Sequence, residues 1–278
     1  MHTTYSEYND SSISYNHSCF KDLKWTGIEP QTHDGYELIY LKNGDITYLI
    51  DGKSYRVKKN SLILTRPGKR HIVLFNSSEV YERYDIILDE NVIFNSFIER
   101  IPDNIDVIKL GEYQKTAELF SKMDYYFKHF EGEAYRQLLV SLVNEILCNI
   151  AIISEHTDLS VPTSGYSENP IITAAIEYIE NNIGTGFTLD TLADELFISK
   201  SYLHQLFCEH LKISPQRYIS GKRLLLIQKE IRSGEKPTEA YLKYGFSDYS
   251  AFYRAYKKQF GYPPSEEGMH DVAREIII

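Results

Sequence analysis

Between residues 171 and 265 the chain writes one helical pattern twice, and this repetition restricts its fold more than any other feature. Thr188 opens a supporting helix with Leu189, Leu192, Ala193 and Leu196 on its apolar face. A short break follows, then Ser199 as N-cap and a helix over Lys200–Leu211 with Leu203, Leu206 and Phe207 turned inward. The same unit returns as Pro237–Tyr244, a break at Gly245, a cap at Ser247, and Asp248–Phe260 with Phe252, Tyr256 and Phe260 inward. Between the units Ser214-Pro215 opens a long helix, serine as N-cap and proline at the first position, where no amide donor is lost. It carries Tyr218, Ile219, Leu224, Ile227 and Ile231 as far as Gly234, and a further helix from Ile171 through Ile179 precedes the first unit.

The two capping serines are 48 residues apart (247 − 199). The connecting helix from Pro215 to Ser233 is about 28 Å long at ~1.5 Å per residue. That length sets the second helix of each unit roughly one duplex turn, ~34 Å, from its counterpart on one face of DNA. A three- or four-residue turn aims each of them outward, as a major-groove reader requires.

The first 110 or so residues follow a different rule. Tyr36–Leu41, Asp45–Ile50, Lys53–Val57 and Ser61–Thr65 are rich in β-branched and aromatic residues, with turns at Lys42-Asn-Gly-Asp, Ile50-Asp-Gly-Lys and Arg66-Pro-Gly-Lys. Asp51-Gly52 is a strong hairpin signal, because a tight primed turn needs positive φ. Strands at this spacing predict a closed or folded-over β sandwich or barrel. Near Glu112 the period changes to helical. Ala117, Phe120, Met123, Phe127 and Phe130 form one stripe, and Leu138, Leu139, Leu142, Val143, Ile146, Leu147, Ile150 and Ile153 form a longer one beyond Glu131-Gly-Glu. This predicts an antiparallel helix pair, whose wide stripe suits either packing against the β domain or a homodimer seam. Thr157 to Pro170, polar and proline-containing, reads as a linker.

A length of 278 residues leaves room for about two domains, and 42% hydrophobic with 25% charged residues describes a globular chain. Runs such as Cys148–Ile153 fall short of the ~18 residues of a spanning helix. The N-terminus lacks a basic start and apolar core, so no signal peptide is expected. Cys19, Cys148 and Cys208 are too scattered for a disulfide framework or a metal knuckle. A cytoplasmic protein with no membrane partner is the expectation. The net charge of −9 is uneven: −8 over residues 1–170, +2 over 171–265 and −3 over 266–278. The helical region therefore permits nucleic-acid binding if its cations gather on one face.

The stretch Ile198-Ser-Lys-Ser-Tyr-Leu-His-Gln-Leu-Phe through Gly245-Phe-Ser-Asp-Tyr-Ser-Ala-Phe-Tyr-Arg-Ala-Tyr-Lys-Lys-Gln-Phe-Gly-Tyr-Pro-Pro-Ser resembles the AraC/XylS family of bacterial transcription regulators over about residues 170–265. His33-Asp-Gly-Tyr-Glu, Gly44, Asp51-Gly52 and Pro67-Gly-Lys-Arg-His71 are similar to that family's cupin-like sensing domain. Departures exist. Ala240-Tyr241 stands where the family has Ile-Ala, which predicts a looser or shifted second unit, and Ile227 and Gly221 depart from the linker-helix pattern.

The resemblance implies an α+β two-domain protein: a cupin-like β-barrel effector domain (1–110), a dimerising helix pair (111–156), a linker (157–170) and an all-α double helix-turn-helix domain (171–265). A C-terminal tail follows (266–278), of which Gly268–Ile278 has no counterpart in the family. It implies a sequence-specific DNA-binding activator, not an enzyme, that answers a small molecule, a sugar by the character of the barrel residues. Its partners would be double-stranded DNA, that effector, a second copy of the chain and RNA polymerase. Outward positions of the first reading helix are Ser201, His204 and Gln205; those of the second are Tyr249, Ser250, Tyr253 and Arg254. Gln205 suits an adenine edge, Arg254 a guanine, and Lys200, Lys257 and Lys258 the phosphates. Effector candidates are Trp25, His33, Tyr36, Glu37, Tyr40, Arg70 and His71. His33, Glu37 and His71 match three positions of the cupin metal set, while Gln31 stands where a histidine would be. The expectation is therefore direct binding of an organic ligand, with no metal and no cofactor. The alternative is a metal-dependent cupin enzyme with an appended helical domain.

Overall fold

The computed structural model describes residues 2–22, 31–77, 80–111, 113–156 and 169–267. Nine strands occur among them: β1 (His2–Asn9), β2 (Ile13–Lys21), β3 (Tyr36–Asn43), β4 (Asp45–Ile50), β5 (Lys53–Lys58), β6 (Ser61–Thr65), β7 (His71–Phe75), β8 (Val80–Leu88) and β9 (Val107–Lys109). They form two antiparallel sheets, a six-stranded one in the order β1-β2-β8-β3-β6-β9 and a three-stranded one in the order β5-β4-β7. The β4–β5 hairpin turns at Asp51 and Gly52, which adopt φ of 40° and 84°, as the tight turn requires.

Alternation along each strand divides its side chains between two cores. Leu38, Leu62, Leu64, Tyr84, Ile86 and Leu88 face a helical layer; Ile39, Leu41, Ile63, Tyr48, Val57 and Val73 fill the space between the sheets. After the short α1 (Asn95–Ile98), the helical layer consists of α2 (Gln114–Phe127) and α3 (Gly132–His156). Leu119, Phe120 and Met123 of α2, with Leu139, Leu142, Val143, Ile146, Leu147 and Ile150 of α3, are buried in the first of these cores. The wide stripe on α3 thus packs inside its own chain, and Leu142 and Ile146 belong to that core rather than to a seam with a second copy. Phe127 and Phe130, expected on the buried side of α2, are exposed. By length and composition alone the span Gly132–Glu155 is apolar enough to cross a bilayer, a property that core helices share; half of its most apolar stretch is buried within the protein.

Asp124 ties α2 to the strands. Ser6, Tyr15 and Tyr84 donate hydroxyl hydrogens to it at 2.5, 3.1 and 2.7 Å, and His17 Nδ1 lies 3.0 Å away.

The C-terminal region comprises α4 (Pro170–Asn182), α5 (Leu189–Glu195), α6 (Lys200–His210), α7 (Pro215–Arg232), α8 (Pro237–Lys243) and α9 (Tyr249–Phe260). Thr188 caps α5 in a reciprocal capping box with Thr191, Ser199 caps α6 and Ser214 caps α7. In the second unit the cap is Asp248, which accepts from Ala251 N at 2.8 Å, not Ser247. A carboxylate there also suits the positive end of the helix dipole. Two cores divide this region, one around Phe207 and Tyr218 and one around Phe252 and Tyr256. The second unit is not loosened at Ala240-Tyr241: Ala240 is fully buried and Tyr241 stacks on Phe252 with ring centres 5.6 Å apart.

Candidate DNA-reading surface and ligand chamber

α6 and α9 bury one face each and leave the opposite face open. Ser201, His204 and Gln205 of α6 are exposed, as are Ser250, Arg254, Lys257 and Lys258 of α9. Tyr249 and Tyr253 are half-buried, and Tyr249 packs edge-on against Tyr241. Lys200, at the start of α6, pairs with Asp190 at 2.7 Å. The N-terminal ends of α6 and α9 flank one groove of about 560 Å³, lined among others by Lys200, Gln216, Arg223 and Ser247. Arg223 carries no local sequence signal for a role here. Its guanidinium lies over the Phe187 ring, 5.5 Å from the centroid, and donates to the Phe187 carbonyl at 3.4 Å. Only its place in the groove between two reading helices distinguishes it from any other helix arginine.

The opposite face of α7 rests on the β domain. Tyr218 donates to Asp51 Oδ1 at 3.1 Å, Lys222 approaches Asp51 at 3.8 Å, Lys229 meets Glu90 at 3.2 Å and Arg232 pairs with Asp34. Steps of four, seven and three residues keep these side chains on one helical stripe. Lys69 and Lys222 share Glu180 of α4 at 3.0 and 3.2 Å. Gly52 completes the seat: a Cβ there would lie 2.6 Å from Ile172 Cγ2, so only glycine admits α4 this closely.

The effector candidates separate. His33, Glu37 and His71 converge between the sheets, each at most 4% exposed. Tyr36 and Tyr40, one residue out of phase with Glu37 on β3, belong to the helix side; Tyr40 stacks on Phe120 at 4.7 Å and donates to Asn60. Arg70 turns out of the barrel and donates from Nε to the Leu211 carbonyl at 3.2 Å. Trp25 lies outside the described residues. In place of these, Tyr48 and Thr65 join the cluster: Tyr48 donates to Glu37 Oε2 at 3.2 Å and lies 2.6 Å from Thr65 Oγ1. Beyond them Arg83 donates to Asp85 Oδ2 at 3.0 and 2.7 Å. Strand alternation was the available signal, since Glu37 pairs with Thr65 across the ladder.

Burial dominates the electrostatics of this cluster. It pushes Glu37 up to about 7, with the Asp85 charge adding to the effect, and pulls His71 down to about 4. His33 is lowered by the same desolvation, against the pull of Glu37. The result is two imidazoles that stay neutral at pH 7 around a carboxyl that readily changes charge.

Residues 20–81 match the family described as the AraC-like ligand binding domain, and residues 192–267 match the family described as a helix-turn-helix domain. Both parts of the arrangement seen in AraC-type regulators, a ligand-binding span followed by a helix-turn-helix span, are thus matched in this chain. It is 22% identical over 259 residues to the HTH-type transcriptional activator RhaS of Enterobacter sp. (strain 638), covering 84% of this chain and 85% of that protein. RhaS of Escherichia coli (strain K12 / DH10B) is 21% identical over 256 residues with the same coverage. Among solved structures, fatty acid-bound ToxT from Vibrio cholerae aligns with 93% of this chain and 95% of its own, at 14% identity and a TM-score of 0.41. The C-terminal domain of AraT from Geobacillus stearothermophilus aligns with 36% of this chain and 84% of its own, at 27% identity and a TM-score of 0.34.

The ligand-binding match holds His33, Glu37, Tyr48, Thr65 and His71, and the helix-turn-helix match holds α6 and α9. The helix that spaces the two reading helices is the one seated on the ligand-binding domain. The buried cluster lies close to that seat in the chain: His71 begins β7, and the amide of its neighbour Arg70 donates to Asp51 Oδ1 at 3.0 Å.

Proposed function

We propose that the chain is a cytoplasmic activator of transcription that reads two successive major grooves with α6 and α9 and takes instruction from a small molecule in the chamber around His33, Glu37 and His71. The observation that carries this reading is the two-sided use of α7: one face closes the groove between the reading helices, the other rests on Asp51, Glu90 and Asp34. Ser201, His204, Gln205, Ser250 and Arg254 read base edges, and Tyr249 and Tyr253 pack along the sugar–phosphate rim. Lys200, Arg223, Lys257 and Lys258 neutralise phosphates.

The effector is a polyhydroxylated molecule, a sugar in the simplest case, because the chamber offers neutral imidazoles, a carboxyl and two hydroxyls. It shifts the population of domain arrangements through Asp51 and α7. A second copy of the chain doubles the DNA contacts by avidity, which compensates for the small number of cations. As an activator the bound dimer would contact RNA polymerase. The β domain (1–110), helix pair (111–156), linker (157–170), reading domain (171–265) and tail (266–278) are the units of this scheme.

Footprinting tests it. Full-length protein, on genomic fragments selected for binding, should protect two consecutive turns per subunit, and the pattern should change when sugars are added. Absence of paired protection would overturn the reading.

A further inference from the structure

We infer that His33, Glu37 and His71 form a binding site for a divalent first-row transition cation at the heart of the ligand-binding domain. Each residue offers one ligand atom, and these atoms all lie within 4.8 Å of one another. Glu37 stands between the two imidazoles, with Oε1 3.7 Å from His33 Nε2 and Oε2 3.1 Å from His71 Nε2. Donors at ~2.0–2.2 Å from one metal stand about 3.0–3.6 Å apart, so the two imidazole–carboxylate separations are close to those of a shared ion, and side-chain rotations that draw the imidazoles together complete the set.

The hydrogen-bond pattern points the same way. His71 Nδ1 faces the Lys69 carbonyl at 3.2 Å, and a carbonyl can only accept, so in the neutral ring the proton sits on Nδ1. The Nε2 lone pair is then aimed at the Glu37 carboxyl oxygen. Both His71 Nε2 and His33 Nε2 are buried without a hydrogen-bond partner, an arrangement that is costly for polar atoms shut away from water. A cation between the three atoms satisfies both lone pairs and the carboxylate together. The surroundings match what orients metal ligands: a backbone carbonyl holds the far nitrogen of His71, and Tyr48, itself against Thr65, holds Glu37 Oε2.

Two imidazoles and a carboxylate, with no thiolate among them, suit Zn²⁺, Fe²⁺ or Mn²⁺ rather than Ca²⁺ or Cu⁺. Three protein ligands leave coordination positions open to oxygen donors of a small molecule. The inference deepens the effector reading, since it rests on this chamber being the ligand site and adds a cation as the anchor.

Full-length protein is stripped with chelator, dialysed, and titrated with Co²⁺ while the ligand-field absorption is followed, then with Zn²⁺ in competition with a chromophoric chelator. The expected result is one equivalent bound. Glu37→Gln and His71→Ala should each weaken binding at least tenfold while keeping the far-ultraviolet dichroism of the parent, and His129→Ala, on the exposed end of the helix pair, should leave it unchanged. Absence of stoichiometric binding, or binding insensitive to Glu37 and His71 but lost with His129, overturns the inference. The regulator reading fails separately: the same preparations would then bind no DNA, loaded or stripped.

Discussion

Tyr218 of α7 and Asp51 of the β4–β5 hairpin, 167 residues apart in sequence, meet through a buried hydrogen bond of 3.1 Å. Asp51 also accepts the Arg70 amide and lies 3.4 and 3.8 Å from the ammonium groups of Lys69 and Lys222. One carboxylate therefore links the ligand-binding domain, the spacer helix and, through Glu180, α4.

Tyr218→Phe removes the donor and leaves the carboxylate short of a partner, a loss of about 1.5–3 kcal/mol for a bond to a charged group. Amide exchange at the Asp51 hairpin and along the barrel-facing stripe of α7 should accelerate by roughly tenfold or more, while the far-ultraviolet dichroism stays at the parental value. Unchanged exchange would mean that the remaining contacts, Lys222 with Asp51, Arg70 with Leu211, Lys69 with Glu180, Lys229 with Glu90 and Arg232 with Asp34, hold the seat without it.

Asp124 supplies a pH-dependent contribution. Burial alone would raise its carboxyl, but hydrogen bonds from His17, Ser6 and Tyr84 outweigh that and hold it at about 2, below its ordinary 3.8. A lowered carboxylate stabilises the fold above its unfolded pKa, and that stability disappears as pH falls from about 4 towards 2. The shift corresponds to about 2 kcal/mol. Asp124→Asn should lower the melting temperature at pH 7 and flatten the acid limb of the stability curve. An unaltered acid limb would show that other carboxylates govern acid unfolding.

Much of this architecture was legible before any coordinates. The strands from Tyr36 to Thr65 announce themselves because β-branched and aromatic runs alternate with glycine turns, and the double unit because serine and threonine caps precede apolar 3.6-residue patterns. β1 and β2 were not read as strands. Their inward positions include Ser6 and His17, whose burial depends on Asp124 more than a hundred residues away. Tyr36 and Tyr40 resemble companions of Glu37 by residue type, but strand period places them on the other face. Asp51 and Tyr218 each had a sufficient local explanation, a hairpin turn and a helix core, so nothing local signalled that they meet. Asp248 displaced Ser247 as cap because either side chain can accept an amide hydrogen at that point.

The stripe on α3 gives a prediction opposite in kind to the seam reading. Leu142 and Ile146 are 6% and 0% exposed within a single chain. Leu142→Asp places a carboxylate among Leu139, Val143 and the sheet, at a cost exceeding the roughly 2–5 kcal/mol of a cavity-forming truncation. The variant should unfold or aggregate rather than run as a folded monomer in sedimentation. A variant that keeps the parental dichroism and runs as a monomer where the parent runs as a dimer would restore the seam.

Arg254 and Lys257 differ by three positions on α9 and by role. A bidentate guanine contact is worth about 1–3 kcal/mol of discrimination, so Arg254→Ala should weaken the preferred site about 10- to 100-fold and relax the base preference in one half of it. Lys257→Ala should weaken all duplexes alike and reduce the slope of log affinity against log salt by about one. Arg223→Ala should behave like Lys257→Ala, because its guanidinium is held to the Phe187 carbonyl in the groove between the helices, where a phosphate and not a base edge would pass. Binding measured against a randomised half-site library at three salt concentrations separates these outcomes. If Arg254→Ala lowers affinity uniformly across the library, its contact is to the backbone, and readout by the second unit falls to Ser250 and Tyr253.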